Sequence, residues 1–382
     1  MSEQQRYRVL KRLASGGMAE VFVAENAGIE GFKKQVAIKR VLPQLSKNEQ
    51  FIAMFLDEAR LSAHLSHSNV VSVFDIGVGD DAYFIVMEYV DGADLKTVVE
   101  HHRKLGRTMP VEIASFVAAK MCQGLAYAHE LEADGKHLQI IHRDITPANV
   151  LITRYGEVKI VDFGLAKASS QLAESDAGVI KGKFGYLAPE TVREQPVDQR
   201  VDIFALGIIL WEMLAGRRLF LGETDFATVR LVRDAVIPKL QIPAELDRIL
   251  TRTLARDSVA RYGSARELGR DLTRFLFHYG RPVSEDDVGA LVQTAVGAPA
   301  RTLDGIQKIA DLIDMTLLEF KSLGKESHPP SMMPEPMSFL MPTSSGDDLP
   351  LSGLADELEP PDPAAADDSS AVAQWLRGLI PR

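Results

Sequence analysis

Three residues of this 382-residue chain have types and spacing that could do chemistry. Asp144 and Asn149 lie in the run IIHRDITPANVLI (Ile140 to Ile152), and Asp162 lies in VDFG (Val161 to Gly164), thirteen residues after Asn149. A carboxylate, an amide and a second carboxylate in this order suit phosphoryl transfer from a magnesium nucleotide. One carboxylate can take up a hydroxyl proton, and the other hard oxygen donors can hold the metal.

HRDITPAN resembles the catalytic loop HRDxxxxN of eukaryotic-like protein kinases, and DFG resembles that family's metal motif. A lone His-Arg-Asp would mean little, but here it belongs to an ordered series. LASGGMAEVF (Leu13 to Phe22) and VAIK, ending at Lys39, precede it. YLAPE (Tyr186 to Glu190), DIFALG (Asp202 to Gly207) and a late arginine, Arg261, follow. From Tyr7 to Tyr279 the chain is similar to the bacterial eukaryotic-like (Hanks-type) serine/threonine protein kinase family.

The resemblance implies ATP and Mg²⁺ as cofactors, protein serine and threonine hydroxyls as substrates, autophosphorylation, and a role in bacterial signalling. It gives Asp144 the substrate hydroxyl proton, Asn149 and Asp162 the Mg²⁺, and Lys39 the α and β phosphates together with an acid on the next helix. Glu58 is that acid, because EARLSAHLSHSNVV matches the family pattern around it. Leu13, Ala14, Ser15, Gly16, Gly17, Met18, Ala19, Glu20 and Val21 would form the hairpin over the phosphates. Ala14 and Ala19 stand in place of the outer glycines; each added methyl limits φ, which implies looser ATP binding. In YFIVMEYVDGADL, Met87 would guard the pocket behind the adenine, Glu88 and Val90 would offer backbone groups to its edge, and Asp94 would reach the ribose. Val21, Ala37 and Leu151 would sandwich the ring. By the same resemblance Glu190, Arg261 and Asp202 are structural supports.

The chain departs from the family at two positions. Thr146 stands where a lysine usually follows the catalytic Asp by two, and Lys183 stands where the segment before the Ala-Pro-Glu run usually has threonine. The reading is an exchanged pair: Lys183 supplies the ammonium near the transferring phosphoryl group and Thr146 the bridging hydroxyl, since a nearby cation is what developing negative charge requires. Arg143 commonly meets a phosphate on the activation segment in this family. Here the hydroxyls between Asp162 and Glu190, apart from Tyr186, are Ser169, Ser170 and Ser175. Either Ser175 is phosphorylated, or Glu174 or Asp176 meets Arg143 as a permanent carboxylate carrying less charge than a phosphate.

These residues need two kinds of element to position them. From about 7 to 90 short strands alternate with one helical segment in which Phe51, Phe55, Leu56 and Ala59 recur at helical spacing. From about 91 to 280 long helical periods dominate. The expected fold class is α+β: a bilobal protein kinase fold, with a small five-stranded sheet lobe carrying one main helix and a larger, mainly helical lobe. C-terminal helices and a disordered acidic tail complete it. Residues 283–323 read as a helical extension, with Ser or Thr and early acids opening SEDDVGALVQTAV and TLDGIQKIADLIDMTLLEF. Residues 324–370 are rich in Pro, Ser and acids and cannot bury enough apolar area to order themselves. The end, 371–382, gathers Trp375, Leu376, Leu379 and Ile380 on one helical face; it is either a frayed tail or a segment docking on a partner or on the chain's own kinase domain.

Composition narrows the function classes. The chain is 46% hydrophobic, enough to fill a core of this size. Its net charge of -10 argues against nucleic acid as a partner. A single cysteine, Cys122, fits core filler in a reducing compartment. MSEQQRYRVL lacks the apolar stretch of a signal peptide, and IFALGIILWEMLAG (Ile203 to Gly216) is too short for a membrane span and contains Glu212, so the expected location is cytoplasmic. Three competing functions are weaker. A nucleotide-binding pseudokinase or scaffold conflicts with the catalytic set, a small-molecule kinase with the Ala-Pro-Glu motif and Arg261, and a tyrosine-specific kinase with the form of the catalytic loop.

Overall fold

A computed structural model gives the fold and describes residues 7–27, 33–79, 82–133, 135–163, 184–297 and 321–322. The first strands are β1 (Tyr7–Ser15), β2 (Ala19–Ala27) and β3 (Lys33–Val41), followed by helix α1 (Glu49–Ala63), β4 (Val73–Gly79) and β5 (Ala82–Glu88). They form an antiparallel sheet in the order β1-β2-β3-β5-β4, and the two-residue strand Lys321–Ser322 pairs with the free edge of β4. Helix α1 starts where the Asn48 side chain accepts a hydrogen bond from the Phe51 N–H at 3.0 Å, an N-cap that satisfies an otherwise orphan donor. Phe51, Phe55 and Ala59 then recur on one face and pack against Val41 and Ile85 of the sheet.

Beyond the sheet lie β6 (Gly92–Asp94), α2 (Leu95–Lys104), α3 (Val111–His129) and a short hairpin of β7 (Glu132–Ala133) and β8 (Lys136–His137). Strands β9 (Val150–Thr153) and β10 (Val158–Ile160) join β6 in a second sheet ordered β10-β9-β6. Then come the single turn α4 (Pro189–Val192), α5 (Arg200–Ala215), α6 (Asp225–Asp234), α7 (Ala244–Thr253), α8 (Ala265–Tyr279) and α9 (Glu285–Val296). This is the bilobal α+β arrangement expected from the sequence, a sheet lobe carrying one main helix and a larger, mainly helical lobe.

Helix α5 is apolar on every face because neighbours cover every face: Val201 through Leu214 are all buried. It is a core helix, and no helix among the described residues is long and apolar enough to cross a membrane. Gly216 ends it at φ 66, returning its N–H to the Glu212 carbonyl. Cys122 sits fully buried on α3 against Gly269 of α8, and burial raises its thiol pKa well above the ordinary value, so it is an inert core residue.

The large-lobe core also takes in Val288 and Val292 of α9. The second expected C-terminal helix, the linker at 324–370 and the terminal segment at 371–382 lie outside the described residues.

Candidate active site

The catalytic loop owes its shape to one buried carboxylate. Asp202, on α5, accepts the backbone N–H of His142 at 2.8 Å and that of Arg143 at 2.7 Å, and meets His129 Nε2 at 2.8 Å. Drawing two consecutive N–H groups to one side chain holds Arg143 at φ 64, a left-handed conformation that a side chain resists. Burial alone would raise the Asp202 carboxyl, but the hydrogen bond and charge of His129 and the Arg143 N–H outweigh it and hold the group below its ordinary value.

From that anchor the loop turns back. Asp144 N–H donates to His142 Nδ1 at 3.2 Å, so His142 Nε2, 3.0 Å from the Val161 carbonyl, carries the proton and donates it there. The His142 ring also packs on Phe163 at 4.6 Å between centroids. One imidazole therefore ties the catalytic loop to the strand and turn that carry Asp162. Asn149 Nδ2 donates to the Asp144 carbonyl at 2.8 Å and to its carboxylate at 3.2 Å, and the Asn149 carbonyl accepts Val161 N–H at 3.0 Å. Asp162 is also left-handed, at φ 66, and its Oδ1 accepts from Lys39 Nζ at 2.7 Å. The Lys39 side chain is 8% exposed and that of Asp162 27%, so the pair lies at the inner end of an open site.

The structure thus brings Lys39, Asp144, Asn149 and Asp162 together from β3, the catalytic loop and the segment after β10. Thr146 is buried in the same loop, its carbonyl accepting Asn149 N–H at 3.0 Å. Glu58 lies on α1, but its side chain, like all of Lys183, is outside the described residues, as are Ser169, Ser170, Glu174, Ser175 and Asp176.

Beside this polar group sits an apolar slot. Ala37, Val71 and Met87 are buried together, with Val21, Val73, Val90, Leu151 and Val161 packed on them. The strand registers explain the grouping: Val21 faces Lys39, Ala37 faces Met87, and Asp94 faces Leu151. Residues from both lobes therefore meet in one apolar cluster. The hairpin of Leu13, Ala14, Ser15, Gly16, Gly17, Ala19 and Glu20 caps this end of the sheet, with Gly16 N–H closing its turn on the Ala19 carbonyl at 3.0 Å. Glu20 is engaged by Arg12 across the strands at 2.9 Å. Met18 packs against the α1 cluster of Phe51 and Phe55.

Some sequence-stated positions carry further duties. Asp94 Oδ1 accepts Thr97 N–H at 2.6 Å, making it the N-cap of α2. The Glu88 side chain is held by Lys159 at 2.9 Å, and its N–H donates to the Ser72 carbonyl at 2.9 Å, so its carbonyl is the backbone group left on the linker. A wide cavity of about 570 Å³ opens beside that pair, lined by Lys34, Tyr89 and Lys159 among others. A smaller cavity is lined by Lys39, Met87, Asp162 and Phe163.

Buried supports complete the site. Arg261 grips Glu190 through two parallel hydrogen bonds of 2.6 and 2.7 Å and stacks over Phe204. Tyr186 donates to Glu212 at 2.8 Å, and Arg218 pairs with the same carboxylate at 3.0 Å while lying over the Tyr186 ring. Burial raises the Glu212 carboxyl, and Arg218 offsets this only in part. Sequence reasoning assigned no role to His142, His129 or the Tyr186–Glu212–Arg218 group. The position of His142 beside Arg143 was a usable signal, whereas nothing in the sequence pairs Glu212 with Arg218.

A family profile described as protein kinase domain matches residues 7–271. The chain is 40% identical over 276 residues to tyrosine-protein kinase MasK of Myxococcus xanthus, covering 71% of this chain and 43% of that protein. It is 34% identical over 272 residues to serine/threonine-protein kinase PrkC of Bacillus subtilis, covering 70% and 40%. The chain therefore spans less than half the length of these relatives. A solved kinase domain of Mycobacterium tuberculosis PknI shares the fold at a TM-score of 0.53 and 27% identity, over 72% of this chain and 99% of that one. A profile match across most of its length, and a catalytic loop, metal motif and Glu–Arg support in the family's order, make this chain a member of the protein kinase family.

Proposed function

We propose that the chain transfers the γ-phosphoryl group of ATP to serine and threonine hydroxyls of proteins, and to its own, in bacterial signalling. The observation that carries this reading is the convergence of Lys39, Asp144, Asn149 and Asp162 beside an apolar slot shared by the two lobes. Phosphoryl transfer asks for positioning and charge neutralisation more than for covalent chemistry.

The residues fit a magnesium ion. Asp162 and Asn149 would hold it, since both offer hard oxygen, and the Asn149 amide nitrogen is already spent on Asp144. When bound, the ion would neutralise phosphate charge. The chain's own residues do the rest: Asn149 and His142 fix Asp144 so that its carboxylate meets the incoming hydroxyl proton, and Lys39 sets the approach of the phosphates. Val21, Ala37 and Leu151 would hold the base, with Met87 behind it and the Glu88 and Val90 backbone at its edge. Thr146 and Lys183 would act as the exchanged hydroxyl and ammonium pair.

A tyrosine reading has one specific support, the printed name of the Myxococcus xanthus relative. Labelled ATP and Mg²⁺ with purified protein, followed by phosphoamino-acid analysis, separates the two. Phosphoserine and phosphothreonine are expected, and phosphotyrosine alone would overturn the assignment. Asp144→Ala should lower transfer at least about a hundredfold, the scale of a lost general base. Lys183→Ala should lower it too, and unchanged turnover there would remove the exchanged pair while leaving the rest.

A further inference from the structure

Helix α9 starts beyond the end of the family match, yet it packs against the turn that links β9 to β10. The contact is made backbone to backbone, with glycine on both sides. Gly156 sits at φ 88, and a Cβ added to it would lie 1.8 Å from the Glu285 carbonyl oxygen. A Cβ on Gly289 would lie 2.6 Å from the Arg154 carbonyl oxygen. Neither backbone can yield cheaply, so each glycine permits an approach that any larger residue would block. Around the contact, Gln293 Nε2 donates to the Arg154 carbonyl at 3.0 Å, and Glu285 pairs with Lys120 of α3 at 2.8 Å.

The gripped turn in turn grips the linker between the lobes. Arg154 N–H donates to the Asp91 carbonyl at 2.8 Å, and Arg154 Nε meets the Asp91 carboxylate at 3.1 Å. Asp91 directly follows Val90, and β6 begins one residue later. That strand pairs with β9 so closely that a Cβ on Gly92 would fall 1.9 Å from the Ile152 carbonyl oxygen, and it sets Asp94 opposite Leu151. Val90 and Leu151 both belong to the apolar slot.

We propose that α9 is a brace for the nucleotide site, with Gly289 and Gln293 acting as positioning residues through Arg154 on the linker and on the floor of the slot, and Glu285 holding α9 in place through Lys120 of α3. This deepens the kinase reading and rests on it. The brace acts on the part of the site that holds the base, away from Asp144. Its loss therefore weakens nucleotide binding and leaves the chemical step almost untouched.

The test uses the full chain, with ADP and Mg²⁺ as the binding probe in calorimetry and with steady-state kinetics in ATP. Gln293→Ala, Glu285→Lys and Gly289→Val should each raise the nucleotide Kd and the KM for ATP, by about fivefold to tenfold, with kcat within about twofold. Adding Lys120→Glu to Glu285→Lys should restore tight binding, which ties the effect to this ion pair, while the unchanged kcat separates it from a general loss of folded protein. If Gly289→Val does not fold, the Glu285 and Lys120 pair decides alone. Folded variants with wild-type Kd and KM, or with a lowered kcat at unchanged KM, would overturn the brace. A wild-type protein that binds no nucleotide would defeat the kinase reading and the brace together, whereas wild-type binding matched by all variants defeats only the brace.

Discussion

Asp202 shows how one side chain can set a reaction centre that it does not touch. Its carboxylate spans three groups, the N–H of His142, the N–H of Arg143 and the His129 ring, and so holds a left-handed turn immediately before Asp144. Asp202→Asn keeps the size and one acceptor but sets an amide N–H against a backbone N–H. A buried donor left without a partner costs about 1–3 kcal/mol. The sign of the pH dependence follows from the depressed carboxyl: the unfolded chain takes up its proton first as pH falls. The stability contributed by Asp202 is therefore fully present above the ordinary carboxylate value and is lost as pH drops towards the lower folded value. Thermal melts should place Asp202→Asn below wild type near neutrality, with the gap closing on acidification through that window. A gap that stays constant with pH would show that the charge of Asp202 does not contribute.

At the scale of elements, α5 carries Asp202 and is fixed by how closely α7 approaches it. A Cβ on Gly207 would stand 2.7 Å from Thr253 Cγ2 and 2.9 Å from Leu254 Cδ2. Both are packed core atoms, so Gly207→Val must displace them at a cost of about 1–3 kcal/mol. The expected result is a melting midpoint lower by several degrees, together with reduced transfer as α5 and Asp202 shift. Wild-type melting would mean that the neighbours repack freely. The apolar run of α5, the Phe51 and Phe55 spacing of α1 and the motif order are patterns within single segments, and the sequence expresses them directly. The approaches of Gly207 to α7, and of Gly289 to the β9–β10 turn, join distant segments through the absence of a side chain. No periodicity announces them. The Lys159 grip on Glu88 and the packing of Met18 on α1 were hidden for the same reason, since each depends on which surface faces which after folding.

Across the whole molecule, the lobes are joined by the linker and by a second seam. Val71 N–H donates to the Ile160 carbonyl at 2.9 Å, Ile160 N–H to the Asn69 carbonyl at 2.9 Å, and Asn69 Nδ2 to the Val158 carbonyl at 2.8 Å. Gly124 lets α3 reach this seam, because a Cβ there would lie 2.7 Å from the Asn69 carbonyl oxygen. The apolar cluster proposed for the base and the Lys39–Asp162 pair straddle the same boundary. A ligand seated there contacts both lobes and meets its full set of partners only in the folded chain. By linkage, a nucleotide at a hundred times its Kd should add about 2.7 kcal/mol to stability. For a domain of this size the midpoint then rises by several degrees. Lys39→Met removes the cation proposed to meet the phosphates and leaves the apolar cluster in place. Its midpoint in ATP and Mg²⁺ should therefore rise less than that of wild type at the same nucleotide concentration, while adenosine, which has no phosphates, should shift both proteins equally. An equal ATP shift in the two proteins would mean that the phosphates lie away from Lys39, and the geometry assigned to the site would fail with it.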